Sequence, residues 1–295
     1  MALAVIVVFF LVFFPNIIPA IAVAKQARFA PTDAWCSSLS WLKENTPDPF
    51  GTPDFYYHLY EPPPSGESYK YPESAYGVMA WWDYGYWITR IAHRLPNANP
   101  SQNRRAVTSV ASVFTCQDEN SAQETIQELG TAYIIIDYDT AIGKFWAIAT
   151  WAGKESSEFF DVYYVSQQGE LTPFQLFHPE YYRSLVVRLY NFDGEAVTPQ
   201  NPVVISYQQK VSRKGKPYTE ITSGFQFDSY EEAEAYLSSQ ESDNYKIVSD
   251  NPFISPVPLE ALKHYKLIYS SDIGVAHRAV GMVPEVKVFQ YMGDK

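Results

Sequence analysis

The stretch Gly77-Val78-Met79-Ala80-Trp81-Trp82-Asp83-Tyr84-Gly85-Tyr86-Trp87-Ile88-Thr89-Arg90 decides how the rest of this chain reads. Residues 77–81 are a short apolar run, which reads as a buried strand. From Tyr86 the pattern changes. Trp87, Ile88 and Ile91 recur at helical spacing, so a helix is expected over 86–94. Trp82-Asp83-Tyr84-Gly85 therefore occupies a strand-to-helix turn, the place where open α/β sheets put their sites.

The same alternation returns on the C-terminal side. Residues 107–114 are apolar, 118–129 look helical with Gly130 as the stop, and 132–136 form a continuous apolar strand. Asp137-Tyr138-Asp139 ends that strand, a helix is expected over 144–151, a strand over 162–165 and a helix over 179–190. On the N-terminal side, Thr32 or Asp33 caps a helix carrying Trp35, Leu39 and Leu42, and a loop rich in Pro and Tyr covers 48–74. Alternating strands and helices predict an α/β central domain over 25–194, a mostly parallel sheet with helices on its faces. Beyond 195 the texture changes to short strands at 203–208, 218–227, 245–248, 266–270 and 285–291 around one helix at 229–237. That predicts a β-rich second unit over 195–295, a barrel or sandwich.

Residues 1–24, MALAVIVVFFLVFFPNIIPAIAVA, contain no charge. This is long enough to cross a hydrocarbon core, which takes about 20 apolar residues, and it lacks the basic start of a signal peptide. A transmembrane segment is expected, helical through about Phe14, with a kinked exit at Pro15 and Pro19. Lys25 and Arg28 behind it are a faint vote for a cytoplasmic remainder.

Composition removes several function classes. The chain has 295 residues with 22 basic and 33 acidic side chains, a net charge of −11, so a general nucleic-acid binder is excluded. Two cysteines, Cys36 and Cys116, are too few for a disulfide scaffold or a four-cysteine zinc site, and they either pair or stay free. The five histidines show no ligand spacing, and no serine elbow or phosphate loop is present.

Trp81-Trp82-Asp83-Tyr84-Gly85 spells WWDYG, which resembles the signature of the catalytic subunit of oligosaccharyltransferases. These enzymes move a lipid-linked glycan onto asparagine. DAWCSSLSWLKENTPDPFG at 33–51 and the stretch 105–151 are similar to the same family in its archaeal single-subunit form, and the similarity loosens after 154. The resemblance implies that WWDYG holds the hydroxyl of the Ser or Thr in an Asn-x-Ser/Thr acceptor polypeptide. Asp83 would accept the hydroxyl proton, and the indole N–H groups of Trp81 and Trp82 would donate to its oxygen. A second family element reads Asp, two residues, Lys, three residues, then Ile or Met. Here it implies Lys144 and Ile148, with Ala141 where the acid belongs and Asp137 or Asp139 as replacements from a shifted position. Ile148 would pack on a threonine methyl, worth about 0.8 kcal/mol. The residues alone also permit a Trp/Tyr core turn with Asp83 as a helix cap, and a Lys144 that merely snorkels.

Two weaker patterns accompany these. Asp137-Tyr138-Asp139 has the Asp-x-Asp spacing that can reach a hard cation, so Asp137 and Asp139 are candidate metal ligands. The resemblance instead places a divalent cation, Mn or Mg, on acidic residues outside this chain. Arg90, His93, Arg94, Arg104 and Arg105 form a basic island, and the spacing of Arg90 and Arg94 fits an exposed helix face.

The expectation is an acceptor-recognition domain of a glycosyltransferase at the cell membrane, its globular part on the extracellular face. That placement outweighs the vote of Lys25 and Arg28. Lipid-linked oligosaccharide would be met through a membrane region outside this chain, along with the catalytic residues, leaving the chain inactive alone. Two alternatives stand beside it: a membrane-anchored carbohydrate- or peptide-binding module without catalysis, and a glycosidase using carboxylates such as Asp83 and Asp139.

Overall fold

The structure, a computed structural model, describes residues 2–25, 30–52, 54–59, 61–67, 69–212 and 214–293. The chain divides into an N-terminal unit, Met1–Asp33, and a compact unit, Ala34–Lys295.

In the first unit the chain is helical from Ala2 to Lys25. Leu3–Ala24 is a helix long and apolar enough to cross a membrane, with mean hydropathy 2.6 over 22 residues. The expected kink after Phe14 is replaced by a continuous helix, for a local reason. A wide π-type turn, Phe9–Phe13, closed by Phe14 N–H donating to the Phe9 carbonyl, precedes Pro15 and absorbs the missing amide hydrogen. Asn16 turns its side-chain amide back onto the Val12 carbonyl at 2.6 Å, so its polarity is satisfied within the helix. The charge flank read from Lys25 and Arg28 falls outside the described side chains.

The compact unit begins with the helix Asp33–Asn45, which buries Trp35, Leu39 and Leu42 on one face as their spacing requires. Three strands follow: β1 (Gly77–Met79), β2 (Leu95–Pro96) and β3 (Thr131–Asp137). They are parallel in the order β2-β1-β3, with helices Arg104–Phe114 and Glu119–Glu128 in the crossover. Asp118 caps the second helix by accepting the Ser121 amide at 2.8 Å. β3 is buried almost throughout, which explains its unbroken apolar run.

The next strands leave this sheet. β4 (Phe160–Gln167) pairs antiparallel with β5 (Glu170–Phe177) through Gln168-Gly169, whose φ values of 52° and 84° make the tight hairpin turn. β6 (Val203–Val211), β7 (Pro217–Gln226) and β8 (Tyr245–Val248) complete a second sheet in the order β5-β4-β7-β6-β8. The strand expected at 162–165 thus builds this second sheet and does not extend the parallel one. The expected helix 179–190 breaks at Ser184, which is extended (φ −62°, ψ 136°) between Pro179–Arg183 and Leu185–Phe192.

The last strands return. β9 (Tyr265–Ser270) precedes a separate ribbon of β10 (Gly274–His277) and β11 (Gly281–Pro284). β12 (Val286–Tyr291) then inserts antiparallel between β3 and β9, giving a mixed first sheet, β2-β1-β3-β12-β9. Strands from both sides of residue 195 therefore share each sheet. Trp35, Met79, Phe114, Phe145, Tyr181 and Phe289 are wholly buried in a common core, each worth about 1.5–3 kcal/mol on the usual transfer scale.

Candidate functional site

β1 and β3 are adjacent and parallel, with Val78 opposite Tyr133 and Met79 opposite Ile134, so their carboxyl ends open on one edge of the sheet. WWDYG follows the first strand and the Asp139–Lys144 turn follows the second. After β1 the chain makes a 3₁₀ turn, Trp82–Tyr84, a single α turn, Gly85–Trp87, and a wide turn, Ile88–Ala92. Gly85 is required by close approach: a Cβ there would sit 2.4 Å from the Ala98 carbonyl oxygen. After β3 comes another wide turn, Asp139–Gly143, and then the helix Phe145–Trp151.

These two turns meet at Lys144. Its Nζ donates to Asp83 Oδ2 at 2.8 Å and to the Tyr84 hydroxyl at 3.1 Å, and lies 3.9 Å from Asp139 Oδ2. It also sits 4.9 Å from the centre of the Tyr84 ring. The Lys144 and Asp83 side chains are 33% and 26% exposed, so the pair reaches solvent and adds at most about 1 kcal/mol to stability. Of the two carboxylates considered for the acid missing at Ala141, Asp139 is the one beside Lys144. Ala141 itself is wholly buried, and its carbonyl accepts the Tyr181 hydroxyl at 3.0 Å. A carboxylate at that position would lie in the core.

Asp137 faces inward. Trp35 Nε1 donates to its Oδ2 at 3.2 Å and the Thr140 amide to its Oδ1 at 2.8 Å. Burial raises its carboxyl above the ordinary range, against the lowering effect of Thr140, Tyr84 and Trp35. The Tyr84 hydroxyl is pushed up, first by burial and then by the charge of Asp137. Trp35 packs on Tyr84 with ring centres 4.2 Å apart and on Trp87 at 5.6 Å. Trp35 is thus a support of the site; its inward face was legible, its bond to a carboxylate 102 positions away was not.

The Asp-x-Asp metal candidate is corrected by this geometry. Asp137 spends its oxygens on Trp35 and Thr140 in the core, while Asp139 stands at the surface beside a cation, so the two do not form a cation site. Among the described residues no group of three His, Cys, Asp or Glu is placed to hold a metal. The basic island also divides. Arg90 lies over the Tyr57 ring at 5.1 Å, but Arg94 is only 2% exposed. It donates five hydrogen bonds, to carbonyls of Lys43, Thr46, Ala92 and His93 and to the Thr46 hydroxyl, and so is a structural clamp, not an exposed face. Cys36 and Cys116 are both free.

Three hydrophobic members of the expected site differ in access. Trp81 and Ile148 are buried, whereas Trp82 is half-buried. The Trp82 indole N–H is buried and has no hydrogen-bond partner among the described residues.

The AglB core-like domain family matches residues 32–141, the segment carrying Trp35, WWDYG, Asp137 and Asp139. Over these residues the chain belongs to the AglB core-like family. The dolichyl-monophosphooligosaccharide–protein glycotransferase AglB of Haloferax volcanii is 31% identical over 276 residues, covering 84% of this chain and 25% of that relative. The chain therefore spans about a quarter of that relative's length. An Archaeoglobus fulgidus oligosaccharyltransferase, solved with a tethered acceptor peptide containing the NVT sequon, superposes with a TM-score of 0.54 at 22% identity, over 89% of this chain and 33% of the other. The AglB of the same organism, solved with an inhibitory peptide and a dolichol-phosphate, gives 0.52 at 22% identity, over 98% of this chain and 35% of the other. At that identity the likeness shows a shared fold: mixed sheets with helices and a β-rich part.

Proposed function

We propose that this chain is the acceptor-reading part of an oligosaccharyltransferase, recognising the Ser or Thr two residues after asparagine in Asn-x-Ser/Thr. The observation that carries the reading is an unpartnered buried donor, Trp82 Nε1, next in sequence to an acceptor carboxylate, Asp83. A hydroxyl both donates and accepts, so it can satisfy the two together. Lys144 occupies Asp83 Oδ2 and fixes the carboxylate, which leaves Oδ1 for the ligand. Each bond is worth about 0.5–1.5 kcal/mol net, or 1.5–3 with a charged partner, and a residue lacking the hydroxyl leaves the indole unpaired. Trp81, Tyr84 and Gly85 shape the turn, and Ile148 is buried on the helix that Lys144 opens.

Glycan transfer needs more than this surface. The asparagine amide nitrogen has a delocalised lone pair, and a departing phosphate-linked lipid would develop charge that a divalent cation, Mn or Mg, would stabilise. Asp137 and Asp139 do not fit that cation, so in this reading the transfer centre lies in residues outside 1–295. The apolar helix Leu3–Ala24 supports a membrane location, with the compact unit on the extracellular face.

Titration with Asn-x-Thr and Asn-x-Ala peptides tests the reading. The threonine peptide should bind tighter, and Trp82→Phe or Asp83→Ala should erase the difference. Equal binding would support a generic carbohydrate- or peptide-binding module instead. Transfer of glycan by the 295-residue chain with metal and lipid-linked donor would overturn its assignment as acceptor reader alone, and sugar release would point to a glycosidase.

A further inference from the structure

Beside the Lys144 turn lies a cleft of about 630 Å³, within the size range of ligand sites. It is lined by Gly143 and Trp146, by His277 and Arg278 at the tip of the β10–β11 ribbon, and by Phe160 and Phe174. Trp146 is 58% exposed although Phe145, Ile148 and Ala149 of the same helix are wholly buried. Gly143 is exposed and offers bare backbone to an approaching chain. Arg278 is exposed and engages no ion pair among the described residues. His277 is held between Phe253 at 5.0 Å and Tyr138 at 6.2 Å, so the ribbon tip is anchored. Asp250 lies where this cleft meets a second groove on the β4–β8 sheet.

We propose that this cleft receives the acceptor chain just downstream of its hydroxyl residue, with an aromatic side chain on Trp146 and an acidic neighbour on Arg278. This rests on the acceptor reading above. In that reading the asparagine points to a transfer centre outside this chain, so the residues after the hydroxyl are the ones left to cross this surface. Charge complementarity selects the acid. The chain carries a net charge of −11 and repels acidic peptides in general, while Arg278 is an unpaired cation in the cleft wall.

The test uses the 295-residue chain and four peptides. Asn-x-Thr and Asn-x-Ala cores are each followed by either a photoreactive phenylalanine and Glu, or Gly-Gly. Stacking on an exposed indole should make the aromatic-acidic peptides bind about 3- to 10-fold tighter. Trp146→Ala should remove most of that advantage, and Arg278→Glu should turn the preference from Glu to Lys. Photoadducts should map to Trp146 and the His277-Arg278 tip. Both substituted residues are exposed, and circular dichroism checks that the variants stay folded. Equal affinity for the aromatic-acidic and Gly-Gly peptides overturns the inference, as do adducts confined to other surfaces. A flank preference that persists without Thr-over-Ala discrimination would sink the hydroxyl reading and leave the cleft standing. The reverse result would sink the cleft and leave the hydroxyl reading.

Discussion

In the second sheet, β6 pairs with β7 along its whole length, Val203–Val211, with one shift between Ser206 and Tyr207. β1 contributes only Gly77–Met79 before the chain breaks into a 3₁₀ turn, a single α turn and a wide turn by Ala92. The first region satisfies its backbone by a repeating ladder and asks little of any one side chain. The second depends on a glycine, a buried carboxylate and a lysine reaching across from another strand end. Local regularity is given up where a polar group must be aimed at something else, the pattern expected of a site.

The sharpest break of this comparison is a pair of glycines. Gly85→Ala puts a Cβ 2.4 Å from the Ala98 carbonyl oxygen, and about 3 kcal/mol of stability should be lost in a denaturant melt. Gly224→Ala in β7 meets nothing within 4 Å and should be neutral or stabilising by about 0.4–1 kcal/mol. Equal losses would show that the WWDYG turn is no more constrained than the sheet.

Next comes Asp137→Ala, which strands the Trp35 and Thr140 N–H groups in the core and should cost roughly 1–3 kcal/mol. Its pH dependence has a definite sign. Burial raises the native carboxyl, so ionising it opposes folding, and the wild type's advantage is fullest below the ordinary carboxylate value near 3.9. As pH rises from there through the raised native value, the gap between wild type and variant should shrink. A gap that widens with pH would mean that the donors outweigh burial.

Lys144→Met comes third in stability, at less than about 1 kcal/mol because the pair is partly exposed, yet it should abolish discrimination between Thr and Ala peptides. The smallest effect belongs to Val162→Thr, an exposed change on β4, within about 0.5 kcal/mol and with peptide binding untouched. A binding defect there would move the site to the other sheet.

Much of the fold was legible. β1, β3, the capped helices and the strands beyond 203 appear within a few residues of their expected places, because apolar period and capping chemistry act locally. β5 was missed because Pro173 and its exposed run argue against a strand, and an edge position is where such a strand is tolerated. Arg94 misled for a different reason. Its acceptors come from Lys43 and Thr46 as well as from its neighbours, so nothing near it in sequence announces burial. At the site, the grouping of Lys144 with WWDYG was anticipated through the family resemblance. The burial of Ile148 and the support from Trp35 were not, since both depend on what packs behind the turn.

Sequence alone determined the apolar N-terminal helix, the strand-to-helix turn at WWDYG and the acidic, aromatic-rich character of the chain. These follow from charge, side-chain period and the backbone freedom of single residues. Only the tertiary structure decided that β12 joins β3, that β4 leaves the parallel sheet, and that Asp139 and not Asp137 stands beside Lys144. Those outcomes are choices among partners far apart in the chain, made by which edges remain unpaired and which polar atoms must be satisfied once the core has closed.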